Sequence, residues 1–162
     1  MSEVILTKLL LLLPLALLLG GNTAHSQFEI PIDLSEHSTC NINKRSKLAK
    51  VLETIELIIW DEAPMTQRFA FEALDHTLQD LRNNQEPMGG IVTVLCGDFG
   101  RLLPIIPKGS RPDIVNASLK NSVLWTHVKH MMLTINIRRL DEDSKGWRDL
   151  ILQIGNGTYP SK

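Results

Sequence analysis

Two apolar runs in this chain stop at acidic residues. Ile55 to Trp60 is followed by Asp61-Glu62, and Ile91 to Cys96 is followed by Gly97-Asp98. Acids so placed could serve phosphoryl transfer. One carboxylate can hold Mg2+, which takes oxygen ligands and keeps several waters. Another can polarise an attacking water while the metal offsets charge on the transferred group. In an open parallel α/β sheet, ligands bind beyond the carboxyl ends of the strands. An NTP site therefore needs acids at these points. The ordinary alternative for Asp61-Glu62 is a strand end followed by a helix whose dipole favours acids. For Asp98 it is a simple Gly-Asp turn. Taken singly, these short words favour the ordinary readings.

The elements that must position these acids can be read from spacing. Both runs are short, apolar and partly β-branched, which predicts buried strands. Thr66 is a candidate cap for a following helix. In that helix Phe71, Leu74, Leu78 and Leu81 recur at spacings of three and four and form one apolar face. Asn83-Asn84 and Gly89-Gly90 end it. Residues 44–54 predict a helix with Leu48, Val51 and Leu52 on one side. Pro104, Pro107, Gly109 and Pro112 mark a loop, and a short helix is expected over 112–119. Val128 to Leu133 suggests a third, weaker strand. Residues 142–154 predict a final helix with Trp147, Leu150, Ile151 and Ile154 inward. Strands alternating with helices imply an α/β fold with a parallel sheet. Apolar runs without polar alternation imply strands covered on both faces.

Bulk composition narrows the partners. The chain has 162 residues, of which 43% are hydrophobic, and this suffices for one domain with a buried core. Its net charge of −1 argues against strong nucleic-acid binding by this chain alone, though not against contact through local groups. Cys40 and Cys96 are far apart and form no CxxC pair, so no zinc site is expected and both read as reduced thiols.

Residues 9–19 are leucine-rich and have two readings. They match the length of a secretory h-region, with Lys8 before them and Ala24-His25-Ser26 as a cleavage site. They also fit an apolar element of the domain itself, which is the preferred reading. The run is too short for a membrane span and is broken by Pro14, so no stable membrane insertion is expected. Asn116-Ala117-Ser118 and Asn156-Gly157-Thr158 fit the glycosylation pattern, which matters only in a secreted chain.

Longer words change the balance at the acids. Leu57-Ile58-Ile59-Trp60-Asp61-Glu62-Ala63-Pro64-Met65 resembles the Walker B stretch of petite-integration-frequency helicases, in the variant found in rolling-circle transposons. Phe71-Glu72-Ala73-Leu74-Asp75 and Thr77-Leu78 continue it. Gly97-Asp98-Phe99 with Leu102-Leu103-Pro104-Ile105 is similar to the third motif of that family. Gly21, Thr23-Ala24-His25-Ser26, Phe28 and Ile30-Pro31-Ile32 resemble its early DNA-contacting motif. Leu133-Thr134-Ile135-Asn136-Ile137-Arg138 is similar to the fourth, and Trp147 with Ile154-Gly155-Asn156-Gly157 to the closing helix. The likeness runs in family order from about Leu15 to Pro160.

This resemblance implies a three-layer RecA-like P-loop NTPase domain with a parallel sheet, truncated at its N-terminus. Residues 1–19 would be the apolar N-terminal segment and 20–160 a partial first motor domain. It implies ATP-dependent DNA unwinding, with Mg2+ and ATP as cofactors and single- or double-stranded DNA as partner. Asp61 would coordinate Mg2+, Glu62 would be the catalytic base, and Arg138 would reach the γ-phosphate, with Arg139 as its near neighbour. Gly97, Asp98 and Arg101 would line the nucleotide site. Thr23, His25, Ser26 and Phe99 would contact DNA, although a core aromatic is the more ordinary role for Phe99. A nuclear or mitochondrial location is implied, as are DNA repair, recombination and telomere maintenance. Secretion is the alternative if residues 1–26 act as a signal.

Two departures bear on activity. The family's Gly-Gly-Asp-Phe-Arg-Gln reads Cys96-Gly97-Asp98-Phe99-Gly100-Arg101 here. Arginine donates hydrogen bonds but accepts none, so Arg101 cannot orient water as glutamine can. In addition, no stretch of the sequence reads GxxxxGK[ST], the loop that cradles phosphates with backbone N–H groups and a lysine. The expectation is therefore a helicase lineage with little or no turnover from this chain alone. A non-catalytic transposon-derived remnant is the competing reading.

Overall fold

The computed structural model of the chain describes residues 9–12, 23–99, 103–133 and 144–159. It divides into two compact units, Met1–Val128 and Lys129–Lys162.

The first unit is built on three parallel strands in the order β1-β2-β3: β1 (Leu9–Leu12), β2 (Leu57–Trp60) and β3 (Val92–Leu95). Leu12 pairs with Trp60, and Trp60 pairs with Leu95, so the three strands end level. Residues 9–12 of the leucine run are thus part of the sheet.

Helix α1 (Ala24–Gln27) is a single turn, capped by the Thr23 hydroxyl, which accepts from Ser26 N–H. Helix α2 (Lys47–Thr54) starts at Ser46, whose hydroxyl accepts from Ala49 N–H. It buries Ala49 and Leu52, with Leu48 half-buried, while Val51 is exposed. The expected apolar side was therefore rotated by part of a turn.

Helix α3 (Arg68–Arg82) carries the expected face: Phe71, Leu74 and Leu78 are fully buried, and Leu81 packs partly against them. Its N-cap is Gln67 and not Thr66, because Ala63–Met65 form a 3-10 turn that Thr66 closes. Asn83 ends α3 in the left-handed conformation, which asparagine tolerates well. Arg82 then fastens α3 to its surroundings. Its Nε donates to Gly89 O, and its Nη1 lies within bonding distance of the carbonyls of Leu52, Glu53 and Ile55 at the end of α2.

Helix α4 (Arg111–Asn116) begins at a capping box between Ser110 and Asp113. The Ser110 hydroxyl and N–H both donate to the Asp113 carboxylate and hold its pKa down. Two 3-10 turns follow, Leu119–Asn121 and Val123–His127.

The two faces of the sheet are not equally covered. Along β2, Ile58 and Trp60 are buried while Leu57 and Ile59 are half-buried, and β3 leaves Val92 64% exposed. The core lies where Ile58 and Trp60 meet Phe28, Leu52, Phe71, Leu74, Leu78 and Ile91.

The second unit contains helix α5 (Ser144–Gly155). Of the expected inward residues, Leu150 is half-buried while Ile151 and Ile154 are about half exposed, and the Trp147 side chain lies outside the described residues. The expected strand from Val128 to Leu133 is not formed. Residues 128–133 are irregular backbone, and Met131, Met132 and Leu133 are exposed. Apolar character alone does not make a strand when no edge pairs with it.

Candidate nucleotide and DNA site

Parallel pairing of β2 with β3 brings the acidic words together. Trp60 and Leu95 are register partners, so Asp61-Glu62 and Gly97-Asp98 leave the sheet at the same carboxyl edge. Two backbone bonds continue the pairing past the strands. Cys96 N–H donates to Trp60 O at 2.7 Å, and Ala63 N–H donates to Cys96 O at 2.9 Å.

Between those bonds the chain turns sharply at Glu62. Its φ of 51° is the left-handed region, which costs a non-glycine residue about 1 kcal/mol or more. The turn presents Glu62 to solvent and leaves Asp61 half-buried. Asp61 Oδ1 accepts from Glu62 N–H at 3.0 Å. Gly97 lies close against this turn at φ 143°, and a Cβ there would overlap the Pro64 ring. Glycine is thus required for the two acid-bearing turns to approach.

The DNA-contact candidates lie on α1. Thr23, His25 and Ser26 are all exposed. Phe28, which ends the turn, is fully buried. Its ring stacks on Trp60 at 6.0 Å between centroids, and Trp60 in turn meets Phe71 at 4.4 Å. One aromatic column therefore joins the exposed turn, the residue before Asp61, and helix α3.

The connection from α1 to α2 is tied down on α3. Cys40 N–H donates to the Thr77 hydroxyl, the His76 ring meets Ser38 O, and Lys44 pairs with Asp80. Burial pushes the Cys40 thiol up to about 11, helped by the Glu29 charge and opposed by Thr77. Both Cys40 and Cys96 are free thiols.

Phe99 is half-buried, 5.3 Å from the Trp125 ring, with Lys120 Nζ 5.7 Å above it. Asp98 is exposed. Arg101, Arg138 and Arg139 lie outside the described residues. Among the described residues no group of three or more His, Cys, Asp and Glu side chains is arranged to hold a metal. No described helix is long and apolar enough to cross a membrane.

Comparison with known proteins decides what lineage this edge belongs to. The sequence profile of the PIF1-like helicase family matches residues 15–162. The chain belongs to the PIF1-like helicase family.

Among curated relatives, the ATP-dependent DNA helicase PIF7 of Trypanosoma brucei brucei is 31% identical over 153 residues, covering 90% of this chain and 15% of the relative. The ATP-dependent DNA helicase PIF1 of Candida albicans is 32% identical over 149 residues, covering 88% of this chain and 16% of the relative. A crystal structure of Pif1 helicase from Bacteroides with ADP-AlF3 and single-stranded DNA superposes with a TM-score of 0.75 at 22% identity. That match covers 94% of this chain and 37% of the other. The α/β fold with its parallel sheet is therefore that of Pif1 helicases, and the chain spans about one sixth of the curated relatives' length.

Within this PIF1-like frame, three positioning contacts were not foreseen from sequence. They are the left-handed Glu62, Pro64 against Gly97, and Phe28 beneath Trp60. A glycine between a strand and an acid was the one signal that could have pointed to the second.

Proposed function

We propose that this chain is part of the first motor domain of an ATP-dependent DNA helicase, and that it does not turn over ATP by itself. The observation that carries the reading is the shared carboxyl edge of β2 and β3, with Asp61-Glu62 and Gly97-Asp98 side by side.

The residues fit Mg2+ and ATP in part. Asp61 offers one carboxylate, with one oxygen held by Glu62 N–H. Mg2+ usually takes one or two carboxylates and borrows the rest of its ligands from phosphates. When bound, it would offset charge on the transferred phosphoryl group. Glu62 is exposed on its left-handed turn and would accept a proton from water. Gly97, Asp98 and Arg101 would border the nucleotide, and Arg138 would reach the γ-phosphate. Thr23, His25, Ser26 and Phe99 would meet the DNA strand. The aromatic column from Phe28 to Trp60 gives the two sites a common support. Work in the nucleus or mitochondrion, in repair, recombination or telomere maintenance, follows from the lineage as part of the same proposal.

Positioning and electrostatics supply nearly all catalysis in phosphoryl transfer. With no GxxxxGK[ST] loop in the sequence, the triphosphate has no fixed place. Purified chain with Mg2+, ATP and single-stranded DNA is therefore expected to release phosphate no faster than an Asp61→Ala, Glu62→Ala double variant. A clearly faster rate would overturn the inactive reading. The roles are tested by substituting this chain for the matching stretch of the Candida albicans relative. That chimera is expected to hydrolyse ATP, and Glu62→Gln is expected to abolish it. Hydrolysis that survives Glu62→Gln would remove Glu62 as the base.

A further inference from the structure

Helix α1 has no buried residue of its own. A single turn has little stability in isolation, so its position depends on what fastens it. Ala24 is partly buried, and the chain enters the core just after the turn, at Phe28 and Ile30. Phe28 N–H donates to Ala24 O at 2.9 Å, and Ile30 N–H donates to His25 O at 3.0 Å. Both anchors are therefore locked to the turn that carries Thr23, His25 and Ser26.

The Phe28 ring stacks on Trp60 with 25° between their planes, and the Phe71 ring meets Trp60 at 42°. These two contacts differ in what stands behind them. Phe71 lies on the 15-residue α3, which Arg82 ties to the carbonyls at the end of α2. Phe28 follows a turn of only four residues. Protein interiors are close-packed, so a displacement of Phe28 is passed to Trp60 and not absorbed by voids. Trp60 is bonded where the acids leave the sheet. Its carbonyl accepts from Cys96 N–H at 2.7 Å, and Asp61 follows it directly. A shift of Trp60 therefore alters how Asp61-Glu62 stands against Gly97-Asp98.

We propose that Phe28 and Trp60 are positioning residues, which make the phosphoryl step respond to a strand held on the α1 turn. The proposal rests on the helicase reading for its two ligands and on the aromatic contact for the route between them. Both rings are closed off from solvent and act through the turn at Asp61-Glu62. A strand on α1 biases the placement of Phe28, and the stack sets that turn in its working position. The signature belongs in kcat and not in KM for ATP, because an interaction made only in the transition state lowers kcat and kcat/KM equally when it is lost.

The test uses the full-length chimera in which this chain replaces the matching stretch of the Candida albicans relative. ATP hydrolysis is measured with and without a thymidine oligonucleotide, and the ratio of the two kcat values is the readout. Phe28→Leu and Trp60→Leu are each expected to reduce that ratio by roughly 3- to 30-fold, with KM for ATP unchanged. The double variant is expected to lose no more than either single one, since both act on one contact. Trp60→Phe keeps a stacking ring and is expected to restore most of the ratio. Leu78→Val thins the same core further along α3, and is expected to lower the melting temperature while keeping the ratio. Where Trp60→Leu does not fold, Phe28→Leu decides alone. An unchanged ratio in these variants, in a chimera that Glu62→Gln silences, overturns the proposal and leaves the helicase reading standing. An equal loss in Leu78→Val, or an unaltered chimera whose rate ignores the strand, overturns it as well. A chimera that releases no phosphate removes both.

Discussion

Cys40 is buried against Thr77, and burial pushes its thiol up to about 11 from the usual 9.0. The folded state therefore keeps the thiol proton longer than the unfolded state does. Its contribution to stability is full below pH 9 and is lost as pH rises towards 11, by up to about 1.4 kcal/mol per pH unit. A Cys40→Ala variant should lose melting temperature less steeply than the parent over that interval. At pH 8 a maleimide should modify half-buried Cys96 well before Cys40. Gly97 gives a second residue-level expectation. With φ 143° and the Pro64 ring in the way of a Cβ, Gly97→Ala should cost roughly 1–3 kcal/mol in urea unfolding. An unchanged midpoint would mean that the acid-bearing turns can part freely. The acids themselves were legible because a strand that ends abruptly in charge is a local pattern. The left-handed Glu62 was not, because it follows from Ala63 reaching back to Cys96, a contact between distant residues.

At the level of elements, periodicity worked where burial was decisive. Helix α3 has its expected face because three positions are fully enclosed. In helix α2 the apolar spacing points to Val51, yet small Ala49 is buried and larger Val51 is exposed. The strand expected at 128–133 was not formed, since apolar composition does not by itself specify a strand. The tie between α2 and α3 was invisible in sequence, since an arginine at a helix end normally suggests only a favourable dipole. Arg82 instead serves the carbonyls of Leu52, Glu53, Ile55 and Gly89. Replacing it with methionine should destabilise the chain by roughly 2–4 kcal/mol, since several carbonyls lose a charged donor. Lysine should restore little of this, because a single ammonium cannot reproduce the planar fork. Chemical denaturation of both variants checks the point, and full rescue by lysine would reduce Arg82 to a simple positive charge.

Across the whole chain, linked words carried more than any single element. Five short motifs in family order were enough to indicate the PIF1-like lineage, and the family profile covers residues 15–162. The aromatic column had no such signature, because Phe28, Trp60 and Phe71 are scattered along the sequence. The sheet carries one more consequence. Among the described strands β3 lies at an edge, and its first residue, Val92, is 64% exposed. An apolar edge strand is a template for pairing with another molecule. Handled as an isolated polypeptide, this chain should self-associate in a concentration-dependent way, with intermolecular β-structure visible by infrared spectroscopy. A charge on an edge strand opposes such growth. Val92→Lys should therefore raise the concentration at which light scattering begins, while leaving the melting transition of the dilute protein nearly unchanged. The concentration at which purified chain stays clear should then follow the charge carried at position 92.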